Sequence, residues 1–226
     1  MVRSPHVVLI GLTGAMGVGK SSVAGLLAAR GAVVIDADDL AREAVEPSGP
    51  AYDAVVARFG QRVVAADGKI DRRALADLVF TDPVARADLE AIVHPVVAAA
   101  RARRLAELAD GDDVVVAVVP LLVEVGWDEP DAVVVVDCPE ELAVRRLVEG
   151  RGMDEADVRR RLATQASRGD RLARADYVIP NDGTPEDLAV EVDRAWAWMR
   201  SLTPRPLRRS GDGSALVDEP RRPQNG

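Results

Sequence analysis

Hydrophobic residues in this chain occur as short continuous runs, separated by longer stretches in which apolar and charged residues recur at helical spacing. Five runs rich in Val and Ile predict strands buried on both faces, at residues 7–12, 33–35, 114–119, 133–136 and 177–179. The helical pattern covers residues 21–29, 72–108, 139–148, 155–167 and 185–200. Strands that alternate with helices predict an α/β fold with a five-stranded parallel sheet.

Two intervals depart from this simple alternation. Residues 38–112, between the second and third predicted strands, are mostly helical and far longer than one crossover needs, so we expect a lobe at the carboxyl edge of the sheet. Within it, His94 precedes Pro95 and is expected to mark a bend with a structural role. Residues 203–226 are rich in Pro, Arg, Gly and Ser, which predicts a disordered tail after one domain over residues 1–202.

Composition narrows the possible environments and partners. The chain has 226 residues, of which 48% are hydrophobic, and this is enough to bury a core. The net charge of −8 argues against nucleic acid as a partner, and the longest apolar run, residues 114–123, is about half of a membrane span. The single cysteine, Cys138, excludes an internal disulfide and fits a reducing compartment. We therefore expect a soluble, cytoplasmic protein without a nucleic-acid or membrane partner.

Residues 14–21 read Gly-Ala-Met-Gly-Val-Gly-Lys-Ser and match the pattern G-x-x-x-x-G-K-[ST]; we call them the phosphate loop. They follow a predicted strand and precede a predicted helix, so a glycine-rich turn with a solvated lysine is the weaker interpretation. In this setting backbone N–H groups and the helix N-terminus surround phosphate oxygens. Lys20 is expected to bridge the β- and γ-phosphates of a nucleoside triphosphate, and the Ser21 hydroxyl to bind Mg²⁺. The expected nucleotide-binding residues are Gly14, Gly17, Val18, Gly19, Lys20, Ser21 and Ser22.

Three aspartates, Asp36, Asp38 and Asp39, follow the second predicted strand. The carboxyl edge of a parallel sheet is where ligands bind, and residues two apart in an extended segment point the same way. We therefore predict that the Asp38 carboxylate orients or deprotonates an acceptor hydroxyl and helps to hold Mg²⁺. Helix capping by Asp38 or Asp39 is the alternative, and it explains one aspartate but not three.

Arginines supply the cations that phosphoryl transfer needs over the developing charge. Arg145 and Arg146 lie near the end of a predicted helix, and Arg151 lies between two glycines. This pattern predicts a lid, over about residues 145–170, that closes on the nucleotide and excludes water. The three consecutive arginines at 159–161 span most of a helical turn, so we expect one or two of them to face solvent.

Several stretches, in this order and spacing, resemble the dephospho-CoA kinase family over residues 6–200. They are Leu-Thr-Gly at 12–14 with the rest of the phosphate loop, Val-Ile-Asp-Ala-Asp at 34–38, Leu-Ala-Arg at 40–42, Ala-Asp-Gly at 66–68, Arg-Ala-Leu at 73–75, Val-Phe at 79–80, Ile-Val-His-Pro at 92–95, Val-Pro-Leu-Leu-Val-Glu at 119–124, Arg146, Arg151, Gln165, Ala-Asp-Tyr-Val-Ile at 175–179, and Asn181. Each stretch alone is weak, but together they are specific.

The resemblance implies a P-loop kinase similar to nucleoside monophosphate kinases, with a five-stranded parallel core, a helical substrate-binding lobe and a mobile lid. It implies ATP-dependent phosphorylation of the ribose 3′-hydroxyl of dephospho-coenzyme A, which gives coenzyme A and ADP in the final step of coenzyme A biosynthesis. We expect a monomer or a weak homo-oligomer.

The same resemblance implies roles for individual residues. Lys20 and Ser21 match the positions that hold phosphates and Mg²⁺, Asp38 matches the proposed base, and Arg151 matches a charge-stabilising or lid position. Arg145 or Arg146 supplies the other lid arginine, and Arg146 is favoured. His94, Leu121 and Glu124 match motifs that line the acceptor side. Ala15 replaces a family glycine, which matters only if that position requires a positive φ.

Two other function classes remain to be compared. A shikimate or nucleotide kinase shares the phosphate loop, but the shikimate kinases use a Gly-Gly-Gly segment for the acceptor and this chain has no glycine triplet. A regulatory nucleotide-binding switch specific for guanine requires Asn-Lys-x-Asp, and neither lysine here follows an asparagine.

Overall fold

The structure, a computed structural model, describes residues 7–108 and 113–203. Its strands are β1 (Val8–Thr13), β2 (Val33–Asp36), β3 (Val114–Val118), β4 (Ala132–Asp137) and β5 (Tyr177–Pro180). Its helices are α1 (Lys20–Ala28), α2 (Ala37–Ala44), α3 (Tyr52–Phe59), α4 (Arg72–Thr81), α5 (Pro83–Glu107), α6 (Glu140–Arg151), α7 (Glu155–Ala163), α8 (Arg168–Arg174) and α9 (Pro185–Arg200), with a 3₁₀ turn at Gln61–Val63. The five predicted strands are confirmed to within one residue at each end.

The strands form one parallel sheet in the order β2-β3-β1-β4-β5, which confirms the predicted fold class. β1 lies at the centre, with Leu12 opposite Val118 of β3 and Thr13 opposite Val135 of β4. Successive residues of each strand point to opposite faces, so both faces need apolar cover. Helices α1 and α9 cover one face, and α5 with the segment after β3 covers the other. All carboxyl strand ends therefore lie at one edge, where the phosphate loop begins.

Helices α2–α5 occupy the interval predicted to form the lobe, and α3–α5 pack around a cluster that includes Val55, Phe59 and Val63. The predicted helical stretch at 72–108 is interrupted at Asp82, whose carboxylate caps α5 by accepting from Val84 N at 2.8 Å and Ala85 N at 3.2 Å. At His94, where a bend is expected, the helix does not end, because Pro95 lies inside α5. A capping aspartate followed by proline is the stronger breaking signal.

The chain after β4 also differs in detail from its predicted helices. Residues 155–167 form not one helix but α7 and a turn, and Ser167 then caps α8 by accepting from Asp170 N at 3.1 Å. No helix in the described part of the chain is long and apolar enough to cross a membrane. The tail predicted at 203–226 lies outside the described residues except for Thr203.

Candidate active site

The phosphate loop turns sharply between the central strand β1 and helix α1. Gly17 and Gly19 have φ values of 84° and 94°, the left-handed region that glycine adopts at low cost. No non-glycine residue in the described ranges has a positive φ, so Ala15 fits the loop without backbone strain. The substitution of the family glycine at this position therefore leaves the fold of the loop intact.

Lys20 begins α1 and folds back over the loop. Its Nζ donates to Gly14 O at 2.7 Å and to Ala15 O at 2.9 Å. Burial lowers the pKa of Lys20 to about 8, with Asp38 the strongest neighbouring charge opposing that shift. The ammonium group is therefore still largely protonated at neutral pH, and a polyanion at the loop would favour its charged form further.

Asp38 lies in the first turn of α2, where its carboxylate is exposed. Asp36, not Asp38 or Asp39, caps the helix: its Oδ1 accepts from Asp38 N at 2.8 Å, and burial raises its pKa. Asp39 pairs with Arg42. The Asp38 side chain has neither a hydrogen bond nor an ion pair within the described residues, which leaves it free to receive a substrate group.

The predicted lid arginines lie in different surroundings. Arg151 ends α6, is exposed, and lies close enough to Lys20 to lower the pKa of that ammonium group. Arg146 is half-buried; its Nη1 donates to Asn181 O at 2.9 Å and lies 4.0 Å from Cys138 Sγ. Arg145 is exposed. The structure therefore brings Arg151 toward the phosphate loop and attaches Arg146 to the segment after β5.

The residues predicted for the acceptor side do not form one contact network. His94 is exposed on α5, and Leu121, just after β3, keeps 39% of its surface exposed. Glu124 reaches the predicted lid, because its Oε1 accepts from Ala166 N at 2.7 Å. Of these three, Glu124 is the residue that the structure links to another part of the site.

The site combines a strand–loop–helix phosphate site, a free carboxylate beside it and arginines from a later segment. This combination is typical of enzymes that transfer phosphoryl groups, but it does not identify the acceptor molecule. The sequence model of the dephospho-CoA kinases matches residues 8–187. The chain belongs to the dephospho-CoA kinase family. The membership predicted from the sequence motifs is thereby confirmed, and the shikimate-kinase, nucleotide-kinase and switch alternatives are not favoured.

Individual dephospho-CoA kinases are similar over most of the chain. The enzyme named dephospho-CoA kinase in Streptomyces avermitilis is 51% identical over 189 residues, which is 83% of this chain and 92% of that protein. Its counterpart in Thermobifida fusca is 48% identical over 188 residues, 83% of this chain and 94% of the relative. A crystal structure of a Thermus thermophilus protein is 36% identical, with a TM-score of 0.73 over 85% of this chain and 98% of that one. A dephospho-CoA kinase structure from Campylobacter jejuni, 22% identical, has a TM-score of 0.62 over 86% and 98% and shows the same fold.

Three residues of the site had no role assigned from sequence. Asn181 is buried and donates from Nδ2 to Val18 O at 2.7 Å, and Gln165 Oε1 accepts from Met16 N at 3.0 Å, so two amide side chains brace the phosphate loop. Arg171 of α8 lowers the pKa of Lys20 and donates to Ala166 O. Asn181 and Gln165 lie in motifs shared with the dephospho-CoA kinase family, which is the signal that pointed to them; Arg171 had none.

Few residues of the site could hold Mg²⁺, and this ion needs few protein ligands when it binds to a nucleotide. Within the described ranges, no cluster of three His, Cys, Asp or Glu side chains can hold a metal. Mg²⁺ at a nucleotide takes most of its ligands from phosphates and water, with one or two oxygens from protein. The exposed side-chain oxygens of Ser21 and Asp38 fit that requirement.

Gly19→Ala is expected to raise KM for Mg-ATP at least about tenfold. An added Cβ would lie 2.3 Å from Asn181 Nδ2, at a φ of 94° that costs a residue with a Cβ about 1–2 kcal/mol. Gly25→Ala is the matched control, since its added Cβ has no heavy atom within 4 Å and the position is helical. Steady-state kinetics with varied ATP measure the effect, and equal KM values in both variants would contradict it.

Proposed function

We propose that this chain transfers the γ-phosphoryl group of ATP to the ribose 3′-hydroxyl of dephospho-coenzyme A, which forms coenzyme A and ADP in the final step of coenzyme A biosynthesis. The roles of the residues are assigned mainly from the unpaired Asp38 carboxylate. Its charge lies close enough to Lys20 of the phosphate loop to raise the pKa of that ammonium group. Family membership supports the substrate pair.

The donor side of the reaction is assigned to the phosphate loop. Its N–H groups and the N-terminus of α1 surround the phosphates, with Gly14, Gly17, Val18, Gly19, Lys20, Ser21 and Ser22 as the binding residues. Lys20 neutralises charge on the β- and γ-phosphates. Ser21 and Asp38 would hold Mg²⁺, which when bound neutralises phosphate charge.

The transfer step is assigned to Asp38. One carboxylate oxygen accepts the proton of the 3′-hydroxyl while the 3′-oxygen forms its bond to the γ-phosphorus. The bond from that phosphorus to the bridging oxygen breaks at the same time, and ADP leaves with the electron pair. Arg151 and Arg146 act as cations of the lid, over about residues 145–170, that excludes water.

The acceptor side is assigned to the lobe at about residues 38–112, with His94, Leu121 and Glu124 lining it. Glu124 supports this arrangement because its contact with Ala166 joins the acceptor side to the lid. The acidic net charge is unfavourable for a nucleic-acid partner, and the single cysteine fits the cytoplasm. We further propose a monomer or a weak homo-oligomer without a membrane partner.

Coupled ADP release from the purified chain tests the proposal directly. With Mg-ATP we expect stimulation by dephospho-coenzyme A and none by shikimate or nucleoside monophosphates. The product is identified as coenzyme A by mass, and omission of Mg²⁺ should abolish turnover. Turnover on another acceptor alone would show that the phosphate loop is a kinase site and the acceptor assignment is wrong.

A further inference from the structure

Phe80 is an aromatic side chain that the fold does not bury. It lies near the end of α4 and keeps 48% of its surface exposed, whereas Phe59, the other phenylalanine of the chain, keeps 3%. Its neighbour Val79 packs on the cluster around Phe59. Phe80 therefore presents about half of its surface outside the core of the lobe, where another molecule can contact it.

Arg161 of α7 lies over the Phe80 ring, with its guanidinium carbon 4.4 Å from the ring centroid. The two arginines before it are paired, Arg159 with Glu141 and Glu155, and Arg160 with Asp157. Arg161 has no carboxylate partner within the described residues. A planar cation of the predicted lid therefore lies directly over an aromatic ring of the predicted lobe.

The segment that carries Arg161 continues to the phosphate loop. Gln165, four residues after Arg161, accepts from Met16 N of the loop at 3.0 Å. Its own N–H donates to Leu162 O at 3.1 Å, so the turn continues the path of α7. Arg161, which lies over Phe80, is thus about one helical turn along the chain from the residue that contacts the phosphate loop.

We propose that Phe80 and Arg161 clamp the adenine of dephospho-coenzyme A. The inference rests on the proposed function: a ribose 3′-hydroxyl at the γ-phosphate places the base of the same nucleoside beside the phosphate loop, against the lobe or the lid. Phenylalanine faces and arginine planes both stack on purines. The adenine takes the place that the guanidinium occupies over the ring, and the guanidinium then covers the outer face of the base.

Kinetics of the full chain with four variants test the clamp. Phe80→Leu, which keeps an apolar side chain without a ring, should raise KM for dephospho-coenzyme A about tenfold and leave KM for ATP within about twofold. Phe80→Tyr should stay within about twofold of wild type, and Arg161→Met should raise KM for dephospho-coenzyme A severalfold. Val84→Ala, at an apolar position that is 65% exposed on α5, is the matched control without effect.

Two fragments of the acceptor show whether Phe80→Leu removes stacking on adenine or distorts the whole lobe. At saturating ATP, adenosine 5′-monophosphate and 4′-phosphopantetheine are tested as inhibitors competing with dephospho-coenzyme A. Phe80→Leu should weaken the first about tenfold and leave the second unchanged. Equal weakening of inhibition by both fragments would overturn the clamp. An unchanged KM for dephospho-coenzyme A together with faster ATP hydrolysis would also overturn it, because the pair would then be only a contact that closes the lid. Wild-type turnover with unchanged KM in Phe80→Leu refutes the clamp alone, whereas no wild-type turnover with dephospho-coenzyme A refutes the proposed function as well.

Discussion

Lys20→Ala should lower kcat by about a thousandfold or more while the protein stays folded. Loss of one preorganised donor to a developing oxyanion already costs about 10²–10³ in kcat, and Lys20 brings a full charge to a half-buried position in the site. The same burial that lowers its pKa makes its charge a cost in the free protein. Lys20→Ala removes this cost, but it also removes two stabilising hydrogen bonds to loop carbonyls. Because the two effects oppose each other, we expect an unfolding temperature close to that of wild type.

Lys69→Ala is the control for this prediction, because Lys69 is the only other lysine of the chain. It is exposed, and its nearest carboxylate, Glu46, is 3.7 Å away. An exposed pair of this kind contributes little, so kcat and both KM values should be unchanged. Circular dichroism checks that both variants fold. Near wild-type kcat in folded Lys20→Ala would contradict the role assigned to Lys20.

The parts of the fold that sequence predicts best are those set by local patterns. The strands are continuous Val-rich runs because a parallel sheet is covered on both faces, and this burial on both sides leaves a clear signal. The phosphate loop combines a fixed glycine and lysine pattern with a strand before it and a helix after it, so its place in the fold followed directly.

Contacts between distant segments left weaker signals. Asn181 meets Val18 across 163 residues of sequence, and Arg146 turns to the Asn181 carbonyl, because β5 lies beside β4 at the same sheet edge. Neither contact follows from spacing along the chain. Arg161 shows the same limit: three arginines in a row suggest a solvated face, and only the packing of α7 opposite α4 places one of them over Phe80.

The assignment of Asp38 depends on separating it from two neighbouring aspartates, and the structure gives each a distinct environment. Asp36 is half-buried and caps α2, so its removal should lower stability by about 1 kcal/mol. Asp39 is exposed and paired with Arg42 three residues later. The carboxylate of Asp38 is the one of the three without a hydrogen bond or ion pair among the described residues. Capping therefore explains Asp36 and leaves the carboxylate of Asp38 for the acceptor.

Asp38→Asn is accordingly expected to lower kcat by about 10²–10⁴, the range of a general base, with KM for dephospho-coenzyme A changed by less than about threefold. The amide keeps the shape of the side chain but cannot take the proton of the 3′-hydroxyl. Asp39→Asn, one residue away, should leave kcat unchanged, which separates proton transfer from a general loss of negative charge in the first turn of α2. If folded Asp38→Asn keeps near-normal kcat and substrate binding, the proton leaves the hydroxyl by another route and Asp38 is not the base.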